Sequence, residues 1–296
     1  MEFFVEDVQP MVWNSDAYDH LVYDPQQKDL VLSFVQSHKR NQRIGGLPSK
    51  GKQSKAAMDD VIQGKGQGLI MLLSGPPGTG KTLTAEAVAD RTRRPLFYLQ
   101  AEDLGISAEV LGRNIKRVFE MATEWDAVIL LDEADVFMAE RHASEIHRNE
   151  LVSIFLRELE YFRGIIFLTT NLYHTIDTAF RSRVNLHLVF TALTRQARES
   201  IWQKFLERLP AQDANLLPDD DDEKGEPDNK PIDAKDIREL SFWQLNGREI
   251  KNAVKMVRSW CDHKGYVLTL SRMEHGIKAT TGHATKDGDV DSDLYD

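Results

Sequence analysis

The 296 residues carry 37 Lys and Arg against 47 Asp and Glu, a formal net charge of -10, with a hydrophobic share of 41%. That balance fits a globular protein with a core and polar loops and argues against a general nucleic-acid binder, and the length suggests about two domains. No apolar run approaches the roughly 20 residues that cross a bilayer, the acidic start MEFFVEDVQP is no secretory leader, and the one cysteine, Cys261, excludes an internal disulfide and suits a reducing interior: cytoplasm, nucleus or mitochondrial matrix.

Residues 1–55 read as an N-terminal segment. Phe3–Val5 and Leu30–Val35 are apolar clusters with Val12, Trp13, Tyr18, Leu21 and Val22 between them, and Leu30, Val31, Phe34 and Val35 predict a short amphipathic helix packed on the main domain. Residues 38–55, HKRNQRIGGLPSKGKQSK, are basic, with two adjacent glycines and a proline, and predict a solvated, mobile loop. An anion or nucleic-acid contact is the alternative, weakened by the lack of aromatics for base stacking.

The chain is organised around Leu69–Thr82, LIMLLSGPPGTGKT. An apolar strand runs into a glycine-rich turn, then a lysine, a threonine and helix-forming Leu83–Ala89. This is the G-x-x-x-x-G-K-[ST] phosphate loop in its required context. Gly75, Gly78 and Gly80 permit a tight turn with N–H groups close to a phosphate, and the helix N-terminus aims its dipole at the same anion. Lys81 can reach the β- and γ-phosphates, and Thr82 can place its hydroxyl on Mg²⁺. The nucleotide cradle is assigned to Gly75, Pro76, Pro77, Gly78, Thr79, Gly80, Lys81, Thr82 and Leu83.

Further strands are predicted at Leu96–Gln100, Val128–Asp132, Ile165–Thr170 and Val184–Phe190. The first four of the five are near-continuous apolar runs, as for strands covered on both faces, whereas the last alternates as a half-exposed edge strand does. Ile115, Val118, Phe119 and Ala122 mark one intervening helix, and Leu151, Ile154 and Phe155, flanked by Val152, Leu156 and Leu159, mark another. The order predicts an α/β domain with a parallel, helix-covered sheet over 56–190.

Beyond Phe190 the strands stop, and residues 191–281 predict a small all-α lid. Ile201, Trp202, Phe205, Leu206 and Leu209 form one helical stripe; Ile250, Ala253, Val254, Val257, Trp260 and Cys261 form the next. Between them, the insertion 211–231 includes Asp219 to Glu223, five consecutive acids, and predicts disorder, as does the tail 282–296.

Val128 to Glu133 is a hydrophobic strand ending in two carboxylates. Neighbouring parallel strands deliver their C-terminal ends to one edge, so a strand beside Leu69–Ser74 would bring Asp132 to Mg²⁺, through water, and Glu133 to the attacking water as its base.

GPPGTGKT at 75–82, LLDEAD at 130–135 and TTN at 169–171 resemble the AAA-type core of the AAA+ ATPase superfamily, over about residues 56 to 280. DDVIQGKGQG at 59–68 and FWQLNGREIKNAV at 242–254 resemble fungal AAA-type proteins of mostly unassigned function. The resemblance implies a phosphate-loop αβα domain with a helical lid, ATP and Mg²⁺ as ligands, and ATP hydrolysis. It implies a sensor-1 amide at Asn171, an arginine-finger region at Arg181 and Arg183, sensor 2 at Arg248, and an adenine pocket lined by Asp60, Val61 and Ile62. The two arginines are closer together than the family pattern has them, so either is a candidate, and a surface ion pair is the alternative. The loop 101–112, AEDLGISAEVLG, lacks the aromatic grip of protein-threading rings, for which Leu104-Gly105 or Ile106 are partial substitutes. The expected function is ATP-driven remodelling of a protein or complex by a homo-oligomeric ring in the ATP state, of open size with a hexamer as one candidate. The alternatives are a nucleotide-dependent switch or scaffold with slow or no hydrolysis and, less favoured, a DNA-linked accessory protein.

Overall fold

A computed structural model describes residues 11–14, 16–44, 66–105, 107–209 and 230–287. The described chain forms two compact units, one drawn from Met1–Gly75 and Lys81–Phe190, the other from Pro76–Gly80 and Thr191–Asp296.

The first unit begins with α1 (Asp16–His20), α2 (Pro25–Ile44), β1 (Leu69–Ser74), α3 (Lys81–Thr92), β2 (Leu96–Gln100) and α4 (Ala101–Leu104). It continues through α5 (Ala108–Glu124), β3 (Val128–Asp132), α6 (Asp135–Met138), α7 (Ile146–Tyr161) and β4 (Ile165–Thr170), and ends with a 3₁₀ turn at Tyr173–Thr175, α8 (Thr178–Arg181) and β5 (Leu186–Val189). The strands pair in parallel in the order β2-β3-β4-β1-β5.

Alternation along the three central strands divides the core. Ile70 and Leu72, Ile129 and Leu131, and Ile166 and Leu168 join a cluster with Ile115 and Phe119 of α5 and Val152 and Phe155 of α7. Met71 and Leu73, Val128 and Leu130, and Ile165 and Phe167 join the other, with Ala85 and Val88 of α3, Tyr18 of α1 and Val31 and Val35 of α2. Full burial of each such Val, Leu, Ile or Phe is worth about 1.5–3 kcal/mol, which is why both faces are covered.

In the first unit four features depart from the sequence reading. β2 is an edge strand whose cover is only partial: Leu96 packs on one core cluster and Phe97 and Leu99 on the other, while Tyr98 is exposed. β3 is not beside β1: β4 lies between them, and the strand-end carboxylates reach the phosphate-loop strand across one intervening strand. The loop expected from residue 38 starts later, because α2 runs to Ile44; no glycine or proline occurs in 38–44, and Lys, Arg and Gln sustain a helix. Leu104 is 2% exposed and sits in the core, so it is no surface grip. Phe3–Val5, residues 45–55, Asp60 to Ile62, Ile106, nearly all of the 211–231 insertion and residues 288–296 lie outside the described residues.

The second unit contains α9 (Arg195–Glu207), α10 (Ala234–Leu240), α11 (Gly247–Lys264) and α12 (Leu270–Thr280), packed around Trp202, Leu240, Ile250, Val254, Val257 and Met273. Asn246 caps α11: its Oδ1 accepts from the N–H groups of Arg248 at 2.9 Å and Glu249 at 3.0 Å, and Glu249 accepts in return from the Asn246 N–H at 2.7 Å. Gly265 ends the helix in the left-handed region, φ 75°. Trp260, expected in the buried stripe, is 39% exposed, with its ring edge-on to Tyr266. The tail expected from residue 282 is fixed at its start. Thr285 O accepts from Gln244 N–H at 2.9 Å, Asp287 N–H donates to Phe242 O at 2.8 Å, and the Asp287 carboxylate pairs with Arg198 at 2.7 Å.

Candidate active site

The C-terminal edge of the sheet in the first unit gathers the polar side chains. Gly75 follows β1 at φ 142°, and a Cβ there would lie 2.0 Å from the Phe190 carbonyl oxygen, so the position admits glycine alone. Lys81 opens α3 and is only 8% exposed, although a cation in the first helical turn opposes the dipole. Its Nζ donates to Gly75 O and to Asn171 Oδ1, each at 2.7 Å. Asn171 directly follows β4, which pairs with β1, so the topology itself brings the amide to the lysine.

Asp132, at the end of β3, is the hub. Its Oδ1 accepts from Thr82 Oγ1 at 3.1 Å and from the Thr169 hydroxyl, and its Oδ2 accepts from the Tyr98 hydroxyl at 3.1 Å. Glu133 follows with a left-handed backbone, φ 52°, rare outside glycine. Its N–H donates to Thr169 Oγ1 at 2.9 Å, so one threonine hydroxyl fixes both acidic residues. The two carboxylates border a cavity of about 320 Å³ with Gln100, Glu102, Val136 and Phe137.

Arg181 and Arg183 lie in different surroundings. The Arg181 guanidinium is at the surface, over the Tyr173 ring at 4.9 Å, with Nη2 3.3 Å from Tyr173 O. Arg183 turns inward: Nη1 donates to Ala179 O at 2.6 Å, and Nη2 is 3.7 Å from Glu160 Oε2. Tyr173 stacks on His187 of β5, centroids 4.3 Å apart, and His187 Nε2 is 2.7 Å from Ser74 Oγ. Burial, and then the Arg181 charge, hold the His187 imidazole below its ordinary pKa of 6.5.

Pro76–Gly80 groups with the second unit. There Thr79 Oγ1 donates to Pro76 O at 2.8 Å, and Gly247 N–H donates to Gly78 O at 2.9 Å. Pro76 and Pro77 are exposed, Gly80 has φ 102°, and Leu83, on α3 of the first unit, is 47% exposed. Arg248 is exposed in the first turn of α11. The sequence reading assigned no role to Tyr98, Thr169, Tyr173 or His187. Only Thr169 left a signal there, as a strand-end hydroxyl two residues before Asn171; Tyr98 and His187 depend on cross-strand register, and Tyr173 on the 3₁₀ turn after β4.

A parallel sheet whose edge carries a glycine-rich turn, a buried helix-opening lysine and a strand-end Asp-Glu pair defines a phosphate-loop nucleotide-binding domain. Residues 71–192 match the family described as ATPase family associated with various cellular activities (AAA). The chain is 30% identical over 175 residues to the ATPase family AAA domain-containing protein FIGL1 of Arabidopsis thaliana, covering 53% of this chain and 25% of that protein. It is 28% identical over 193 residues to the ATP-dependent zinc metalloprotease FTSH 11, chloroplastic/mitochondrial, of Arabidopsis thaliana, covering 62% and 22% respectively. Fidgetin-like protein 1 of Drosophila melanogaster matches at 31% over 150 residues, covering 47% and 28%. These matches place the domain at residues 71–192 in the AAA+ superfamily of ATPases, a superfamily that binds ATP. The match spans between 22% and 28% of the length of these three relatives. Among the described residues no helix is long and apolar enough to cross a membrane.

Proposed function

We propose that the chain binds ATP with Mg²⁺, hydrolyses the β–γ anhydride, and uses turnover to remodel a protein or protein complex as a homo-oligomeric ring. The observation that supports this most is the convergence of Lys81, Thr82, Asp132, Glu133 and Asn171 on one sheet edge. The loop 75–83 cradles the phosphates, and Lys81 neutralises the β- and γ-phosphate oxygens. In its present contacts Lys81 spans the Gly75 carbonyl and the Asn171 amide, so ATP entry exchanges neutral acceptors for charged ones. The Thr82 hydroxyl and the Asp132 carboxylate, 3.1 Å apart, are hard oxygen donors that suit Mg²⁺ and would hold it. When bound, Mg²⁺ offsets the charge of the phosphates. Glu133 accepts the proton of the attacking water, and Asn171 orients that water or the γ-phosphate.

Arg181 serves the site of a neighbouring subunit. What supports it over Arg183 is exposure: both guanidiniums touch backbone carbonyls, but Arg183 is half-buried and faces Glu160, whereas Arg181 is exposed. Arg248, in the first turn of α11, acts as a second phosphate sensor.

The test is steady-state ATP turnover and ATP binding of wild type beside Glu133→Gln and Lys81→Ala. Glu133→Gln is expected to bind ATP and to lose turnover by about 10²-fold or more, as loss of a general base does. Lys81→Ala is expected to lose both. Wild-type turnover no greater than that of Lys81→Ala overturns hydrolysis. The loop 101–112, with no aromatic, favours a nucleotide-dependent switch as a second reading; ATP binding with equal turnover in wild type and Glu133→Gln would establish it.

A further inference from the structure

We propose that Tyr173 and His187 form a positioning stack that holds Arg181 in place and ties it to the strand end from which the phosphate loop departs. This rests on the reading that Arg181 serves a neighbouring subunit's site. The contacts are continuous. The Arg181 guanidinium lies over the Tyr173 ring at 4.9 Å, Tyr173 stacks on His187 at 4.3 Å with planes 19° apart, and His187 Nε2 is 2.7 Å from Ser74 Oγ. Ser74 is the last residue of β1, and the carbonyl of the next residue, Gly75, accepts from Lys81.

Arg181 Nη2 also reaches the Tyr173 and His174 carbonyl oxygens, at 3.3 and 3.5 Å, so the ring acts beside two backbone acceptors. α8 is four residues long and ends at Arg181, so the helix alone cannot fix a long, exposed side chain that has much rotamer freedom to lose. A flat aromatic face beneath a planar guanidinium restricts that freedom and attracts the cation. An imidazole on the edge strand β5 has no ladder to complete, yet it is half-buried between Tyr173 and Ser74. Burial and the nearby Arg181 favour its neutral form, in which it stacks beneath a ring that carries a cation without repelling that cation. The stack joins the residue aimed at a neighbour to the residue before the chain's own phosphate loop, and a shift at either end reaches the other through two rings and one hydrogen bond.

A positioning role separates from a structural one in the split between kcat and KM and in rescue by shape. Tyr173→Leu and His187→Leu are expected to lower kcat for ATP about tenfold with KM for ATP unchanged, since misplacing a group that acts in the transition state costs rate rather than ground-state binding. Tyr173→Phe, which keeps the ring under the guanidinium, is expected to restore most of what Tyr173→Leu loses. His187→Phe keeps the stack without the Ser74 bond, and His187→Gln keeps a donor without the ring; each is expected to fall between His187→Leu and wild type. Arg181→Ala is measured alongside, with thermal melts of every variant. Impaired Arg181→Ala with Tyr173→Leu and His187→Leu at wild-type kcat overturns the stack alone. Arg181→Ala at wild-type kcat removes the reading on which it rests. Equal loss in Tyr173→Leu and Tyr173→Phe, or loss that tracks melting temperature, assigns the residues to folding and overturns the proposal.

Discussion

Glu133 is a carboxylate on a backbone that suits glycine. A side-chain-bearing residue in the left-handed region costs about 1–2 kcal/mol, and here the φ of 52° is held by the Thr169 hydroxyl below and by α6 starting two residues on. Strain at a proposed catalytic position predicts a trade between stability and activity. Glu133→Gly should be more stable than Glu133→Ala by about 0.5–1 kcal/mol, after deducting the greater freedom of an unfolded glycine. Urea denaturation of the two variants measures this, and coincident midpoints would show that the backbone stores nothing there. The residue itself was legible in the sequence, because an Asp-Glu pair after four apolar residues, downstream of a glycine loop and lysine, has few other uses. The strain was not, since nothing in the letters VILLDEAD dictates the sign of φ. Nor was the Tyr98 hydroxyl on Asp132, which depends on β2 and β3 pairing in one register.

At the scale of elements, periodicity placed all five strands and the helical stripes, because both faces of the sheet and one face of each helix demand apolar residues at fixed intervals. Strand order was not legible. A run of apolar residues says that a strand is covered, not which neighbour covers its edge, and β4 entered between β1 and β3 with nothing local to announce it. β2 was misread for the same reason: Leu96 to Leu99 look like a buried strand, but an edge position leaves Tyr98 46% exposed. Close approach of helices is another property absent from a pattern. Gly276 on α12 faces Val257 on α11 so closely that an added Cβ would meet Val257 Cγ2 at 2.0 Å. Gly276→Ala should therefore destabilise the helical unit by about 1–3 kcal/mol through overpacking, against the usual gain in helix propensity. Val257→Ala removes the obstructing methyl groups, so the double variant should lose at least about 1 kcal/mol less than the sum of the two singles. Additive losses in a double-mutant cycle would mean that the helices separate at no cost.

For the molecule as a whole, the proposed reading makes one demand that no single chain meets. Lys81, Thr82, Asp132 and Glu133 converge within one unit, whereas the Arg181 guanidinium stands at the surface over Tyr173. A planar cation of this kind stabilises charge that develops on a transferred phosphoryl group, and one supplied by a partner changes rates by orders of magnitude. If each site takes its arginine from the next subunit, two defects on different chains can compensate. Arg181→Ala has an intact phosphate loop but offers its neighbour nothing; Lys81→Ala cannot use ATP but still presents Arg181. Each alone should turn over ATP far more slowly than wild type, and mixing them should restore turnover at those interfaces where an Arg181→Ala site faces a Lys81→Ala partner. The restored rate should rise with total protein concentration, because it exists only in assemblies, and should peak near equal amounts of the two variants. Activity that stays at the sum of the separate rates at every ratio and concentration would confine catalysis to one chain and leave Arg181 a surface residue.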